Sequence, residues 1–283
     1  MPDRPAPTAR RIRLGAELRK LRERARMTST EAARRLGTSS GQLSNAETGR
    51  FGVSGDRIRS LADMYGCQDK PLIEALVSMA QERSRGWWEE YRSILPGPLL
   101  DLAELEHHGH HFRTAHTAHI PGMFQTAEHA REIYRQAVPA FSPPDVEQRI
   151  SFRIKRQTVL FQDSPAPYSA IVHEAALRMR FGGPEVTRAQ LQHLLKLSEL
   201  RHVTLLVIPF DAGSYPGSGQ TITYAHGPVT QLDTVQLDQS HGIAFIDAEH
   251  QLAQYRLLFD RLAASALTAA RSRDFIRAVI HSL

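Results

Sequence analysis

Between Thr28 and Arg50 the chain is punctuated at intervals that leave room for little except two short helices joined by a tight turn. Thr28 or Ser29 supplies a hydroxyl that accepts from the free amides opening a helix, and Glu31 in the first turn suits the positive end of the helix dipole. Ala32, Ala33 and Leu36 give that helix a narrow apolar side, small enough for close approach of a neighbour. Gly37 ends it, because glycine takes positive φ without a Cβ penalty. Ser39 or Ser40 then caps a second helix with Leu43 and Ala46 inward. Ser40, Gln42, Ser44 and Asn45 are left for the outside, and Glu47-Thr48-Gly49-Arg50 closes the unit.

Amphipathic helices flank this pair. Leu14, Leu18 and Leu21 recur at three- and four-residue spacing and predict a helix over about 12–25, with Arg13, Arg19, Lys20, Arg22 and Arg24 on its other faces. Ile58, Leu61, Ala62, Met64 and Tyr65 predict a further helix that covers the bundle. Charge is unevenly spread: residues 1–60 hold 14 Arg/Lys against 6 Asp/Glu, a net of +8, within a chain of net +5. A local excess of that size is what a phosphate-binding surface needs. Such a unit fits its second helix into the DNA major groove, where Gln and Asn can bond bidentately to adenine.

Residues 12–70 resemble the lambda-repressor-like (Cro/cI, or Xre) helix-turn-helix family. The resemblance rests on Glu31-Ala-Ala-Arg-Arg-Leu-Gly37, Leu43-Ser-Asn-Ala-Glu-Thr-Gly49 and Leu61-Ala-Asp-Met-Tyr-Gly66. It implies that Ser40, Gly41, Gln42 and Asn45 face base edges and that Ser29, Ser39, Thr48 and Arg50 contact phosphates of double-stranded DNA. It also implies a homodimer with half-sites about one helical turn apart. Two departures withhold the operator sequence: Ser29-Thr30 stands where many members begin the second helix with Gln, and Gly41 removes a side chain from a reading position.

The single cysteine, Cys67, excludes an intramolecular disulfide and a zinc finger of paired cysteines. No apolar run reaches the roughly 18 residues of a membrane span, and the opening Met-Pro-Asp-Arg-Pro-Ala-Pro has no signal-peptide core. A cytoplasmic protein is expected. The expected organisation is a flexible arm over 1–11, the helical DNA-binding domain over 12–70, a connecting helix over 71–84 and an α+β domain over 85–283 that binds an effector or partner.

In that larger part, helices are predicted over about 144–159, 185–201, 251–265 and 270–281, and Thr126 is placed near the cap of another. Tyr168-Ser-Ala-Ile-Val-His173 and Val203-Thr-Leu-Leu-Val-Ile-Pro209 read as strands, with shorter candidates at 221–225, 234–237 and 243–246. The strands thus gather in the later half. Ile120-Pro-Gly-Met-Phe-Gln-Thr126, Arg156-Gln157, Glu174-Ala-Ala-Leu-Arg178 and Val207-Ile-Pro209 resemble an uncharacterised domain attached to many actinobacterial Xre regulators, over about 85–280. Those regulators are often encoded beside a very short protein, so the resemblance implies a small protein partner or a sensory role. An antitoxin-like pairing and a small-molecule-responsive regulator are the two alternatives.

Six histidines (His107, His108, His110, His111, His116 and His119) fall within 13 residues. His107 and His111, four apart on a helix, are weak candidates for a shared metal; Gly109 and the absence of a nearby cysteine favour a structural or exposed role, and no cofactor is expected. Arg149, Arg153 and Arg156 would line one helix face, either solvated or turned to an anionic partner. Trp87, Trp88 and Tyr91 would form interdomain core or line an apolar pocket for a ligand. Gly213-Ser-Tyr-Pro-Gly-Ser-Gly219 lacks the Lys-Ser/Thr of a phosphate loop and reads as a plain loop. No Gly-x-Ser-x-Gly elbow appears, and nothing in the spacing of Glu174, Glu199, Asp233 and Asp238 sets a catalytic distance, so no enzymatic activity is expected.

Overall fold

The computed structural model describes residues 7–82, 86–239 and 242–283. Residues 1–6 of the expected arm and 83–84 of the expected connecting helix lie outside the described residues. The chain divides into two units: one runs to Arg92 and takes in Pro96–Leu105, the other holds Ser93–Leu95 and Glu106–Leu283.

The first unit is a helical bundle of α1 (Ala9–Arg24), α2 (Ser29–Arg35), α3 (Ser40–Glu47), α4 (Gly55–Met64) and α5 (Lys70–Gln81). Each helix starts on a side-chain cap. Thr8, Thr28, Ser39, Ser54 and Asp69 accept from the backbone N–H of Arg11, Glu31, Gln42, Arg57 and Leu72. Thr8 explains why α1 begins earlier than its leucine spacing indicates. Leu14, Leu18, Leu21, Leu43, Ile58, Leu61, Leu72 and Leu76 are buried, and α1 packs on α3, α4 and α5. The expected connecting helix is therefore part of the bundle. A 3-10 turn, Trp87–Tyr91, and the start of α6 (Gly97–His108) also belong to this unit, where Asp101 Oδ1 accepts the Ala9 N–H at 3.0 Å. The boundary expected at residue 85 thus falls inside the first unit, because α6 returns to the capped start of α1.

The second unit is α+β. In chain order it holds β1 (His111–His116), α7 (Ala127–Arg135), α8 (Pro143–Gln157), β2 (Tyr168–His173), α9 (Glu174–Arg178), α10 (Gly183–Leu197) and β3 (Val203–Ile208). Then follow β4 (Ile222–His226), β5 (Thr234–Gln239), β6 (Gly242–Ile246), α11 (Glu249–Ser265) and α12 (Ala269–His281). One six-stranded sheet runs β3-β2-β1-β4-β5-β6. The first three strands are parallel, each joined to the next through two helices, and the last three form an antiparallel meander. Ala115, Ile171, Tyr224 and Val235 pack against Leu252, Phe259 and Leu262 of α11. On β3, Ser272 Oγ accepts the Val207 N–H at 2.9 Å and pins α12 to the sheet.

Strand β1 corrects the expectation that strands begin near residue 168. It sits at the centre of the sheet and alternates, with Phe112, Thr114 and His116 on one face and Arg113 and Ala115 on the other. Among the described residues no helix is long and apolar enough to cross a membrane.

Candidate nucleic-acid interface

The turn before α3 has the geometry its sequence demands. Gly37 takes φ +62°, and the Thr38 N–H donates to Ala33 O at 3.0 Å while the Gly37 N–H donates to Arg34 O at 3.2 Å. These bonds close the last turn of α2. Ser39 then opens α3 with a reciprocal cap: its Oγ accepts the Gln42 N–H at 3.1 Å, and its own N–H donates to Gln42 Oε1 at 3.2 Å.

What holds α3 against α1 is a buried ion pair that sequence reading missed. Arg22 donates from Nε and Nη2 to Glu47 Oε1 and Oε2 at 2.7 and 2.9 Å, and its Nη1 donates to Met27 O at 2.8 Å. One guanidinium thus ties α1, the α1–α2 turn and the end of α3 together. The Glu47 hydrogen bonds outweigh burial and raise the Arg22 pKa above its ordinary value. Burial and the Glu47 charge push the nearby Tyr65 phenol up to about 12. Arg13 is also buried, bonded to Glu17 at 2.9 Å, so two of the cations expected on outer faces of α1 point inward. Their signal was position: Arg22 follows Leu18 by four residues, and Glu47 follows Leu43 by four.

The outward face of α3 carries the residues expected to read bases. Ser40, Gly41, Gln42 and Ser44 are exposed and Asn45 is half-buried. Among the described residues the Asn45 side chain has no hydrogen-bond partner, so its amide keeps both donor and acceptor. Gln42 differs: its Oε1 is engaged by Ser39 and by the Thr38 hydroxyl, which leaves only its N–H groups. The bidentate adenine contact expected of Gln42 would require the cap to open. Of the phosphate candidates, Ser39 retains its hydroxyl proton, and Ser29 is the half-buried first residue of α2. The Thr48 hydroxyl donates to Ser44 O at 2.9 Å and keeps only acceptor capacity. Arg50 and Arg34 are exposed and pair with no carboxylate among the described residues.

A helix-turn-helix domain profile matches residues 13–76, which makes the first unit a DNA-binding module and the chain a DNA-binding regulator. A second profile, a domain of unknown function (DUF5753), matches residues 99–278. The chain belongs to the DUF5753 family. No curated protein and no solved structure matches it.

Within the DUF5753 domain the expected sites move. His107 and His111 share no helix, because α6 ends at His108 and His111 opens β1, where its ring stacks on His226 at 4.8 Å. The two imidazoles therefore do not stand one helical turn apart as a ligand pair would. Among the described residues no group of three or more His, Cys, Asp or Glu is placed to hold a metal. Trp87, Trp88 and Tyr91 lie in the first unit and pack edge to face, with Trp87 to Trp88 at 6.0 Å and to Tyr91 at 6.1 Å.

Arg149, Arg153 and Arg156 share α8 but do not form a solvated face. Arg156 is buried and forks onto Glu106, with Nε at 2.7 Å from Oε2. Arg153 lies over the Tyr134 ring at 4.5 Å and donates to Gln125 Oε1; Arg149 lies over Phe141 at 4.0 Å. The Pro-Gly-x-x-Gln-Thr phrase is laced by the same surroundings. Gln125 Nε2 donates to Ile120 O at 2.6 Å, Gln157 Nε2 to Gly122 O at 3.0 Å, and Gln190 bonds Phe124 O and the Thr126 N–H, each at 2.7 Å. Three glutamines, from the phrase itself, α8 and α10, thus fix the phrase in one conformation.

Proposed function

We propose that this DUF5753 protein is a sequence-specific transcriptional repressor of the lambda-repressor-like (Xre) type. It acts on its own or neighbouring genes as a cytoplasmic homodimer, and it works by binding rather than catalysis. The α3 face carries this reading: an eight-residue helix fixed at its start by the Ser39–Gln42 cap and at its end by Arg22–Glu47, with polar side chains outward. In this reading Asn45 and Ser40 discriminate bases and the Gln42 amide N–H groups assist. Gly41 allows close approach, and Ser29, Ser39, Thr48 and Arg50 set the register on phosphates. The DUF5753 domain receives the signal that governs binding.

Genomic footprinting with the full chain would supply the operator, and two substitutions then separate the roles. Asn45→Ala is expected to lose about 1–3 kcal/mol on the operator and little on random duplex. Arg50→Ala is expected to weaken both and to lower the slope of log affinity against log salt by about 1. Anisotropy titrations across a salt series read both effects. Equal losses on operator and random DNA for Asn45→Ala would count against base reading by α3.

A further inference from the structure

In the second unit, four groups that the DNA reading leaves unused come together. His116 ends β1, His119 follows it, His129 lies in the first turn of α7, and Arg153 projects from α8. Phe181 joins two of them: its ring stacks on His119 at 5.2 Å and meets His129 edge-on at 5.6 Å. His129 is 1% exposed, yet among the described residues neither of its ring nitrogens has a hydrogen-bond partner. His116 Nδ1 and Arg153 Nε are likewise buried without partners, although His116 Nε2 sits 2.9 Å from Thr114 Oγ1. Buried polar groups are normally satisfied, so the orphaned nitrogens of His116, His129 and Arg153 are open to a bound partner.

The charges choose its sign. Arg153 acts electrostatically on all three histidines. Among the described residues it has no carboxylate at salt-bridge distance, and Asp238, which acts on Arg153 and His119, is exposed and accepts from Gln236 Nε2 at 2.6 Å. Burial pushes His116 down to about 3 and His129 down to about 4, and the Arg153 charge adds to both. A neutral imidazole offers one N–H and one lone pair and so does not itself choose the sign, but the Arg153 charge repels a cation and attracts an anion. An oxygen anion would accept from the Arg153 Nε–H and from the single N–H of each of His119 and His129; the His116 Nε2–H is spent on Thr114 Oγ1, whose own proton goes to Ile222 O.

We propose that His119, His129 and Arg153 form a binding site for a small oxyanion, a carboxylate or a phosphate group, inside the DUF5753 domain. The binding stands independently of the repressor reading; that its occupancy is the signal received by the regulator rests on that reading.

The test is calorimetric titration of the full chain with inorganic phosphate and, separately, with succinate at constant ionic strength. One of the two anions should bind at one equivalent. His129→Phe, which keeps an aromatic ring against Phe181, and Arg153→Gln should each weaken binding at least tenfold, with folding checked by circular dichroism. If Arg153→Gln fails to fold, His129→Phe carries the test. Arg50→Ala should bind the anion as the parent chain does. No binding of either anion overturns the proposal. So does binding retained in folded His129→Phe, or binding lost in Arg50→Ala, which would place the anion on the α3 face. DNA affinity of the same variants is read separately, so failure of the anion site leaves the α3 reading intact.

Discussion

Glu47→Ala is expected to unfold the helix-turn-helix unit at denaturant concentrations where the DUF5753 unit remains folded. The substitution leaves the Arg22 guanidinium buried with its Met27 O bond and the half-exposed Glu23 carboxylate 4.0 Å away. Removing one partner of a buried pair costs about 3–5 kcal/mol, and the surviving Met27 bond places this case near the lower end. Because Glu47 is the last residue of α3, the loss should also release the helix that faces DNA. A paired replacement separates charge from packing. Arg22→Met with Glu47→Leu removes both charges while keeping side-chain bulk, and it should recover most of the lost stability. Urea unfolding followed by far-UV circular dichroism gives the comparison. A Glu47→Ala chain within 1 kcal/mol of the parent would mean the pair contributes packing alone.

That ion pair also marks where sequence reading stops. The α2–α3 turn was legible because Thr28, Gly37 and Ser39 act on backbone amides within a few residues of themselves, and the sequence preserves that proximity. Strands β2 and β3 were legible for a similar reason, as runs of branched residues ended by charge or proline. Partners distant in sequence were hidden. Arg22 and Glu47 are 25 residues apart, and Arg156 and Glu106 are 50 apart. Arginine spacing along one helix names no carboxylate; the fold supplies it. Strand β1 was obscured by composition: His111-Phe-Arg-Thr-Ala-His116 alternates as a strand should, but its histidines drew attention to helical metal spacing. The grouping of His116, His119, His129 and Arg153 was out of reach for the same cause, since they come from β1, the segment after it, α7 and α8, up to 37 residues apart.

Gly15→Ala is expected to destabilise the first unit although it should favour helix formation. In a free helix the change gains about 1 kcal/mol, because alanine loses less backbone entropy than glycine. Gly15 lies inside α1 where that helix crosses the end of α3, and a Cβ there would sit 2.5 Å from Glu47 O, 2.6 Å from Ala46 O and 2.7 Å from Glu47 C. These are backbone atoms and cannot rotate away, so α1 and α3 must separate. Separation strains the Arg22–Glu47 fork and shifts the face that carries Asn45. Overpacking of this kind costs about 1–3 kcal/mol and sometimes more; with contact this close we expect a net loss of about 2 kcal/mol, accompanied by weaker operator binding. Gly41→Ala supplies the opposite sign on the same bundle. Its Cβ would meet only Ser39 Oγ, at 3.9 Å, so nothing opposes the helix-forming gain, which in the first turn of α3 is part of the roughly 1 kcal/mol of a helix interior. Unfolding curves that rank Gly15→Ala level with Gly41→Ala would show that α1 and α3 do not approach as closely as the helix crossing at Gly15 requires.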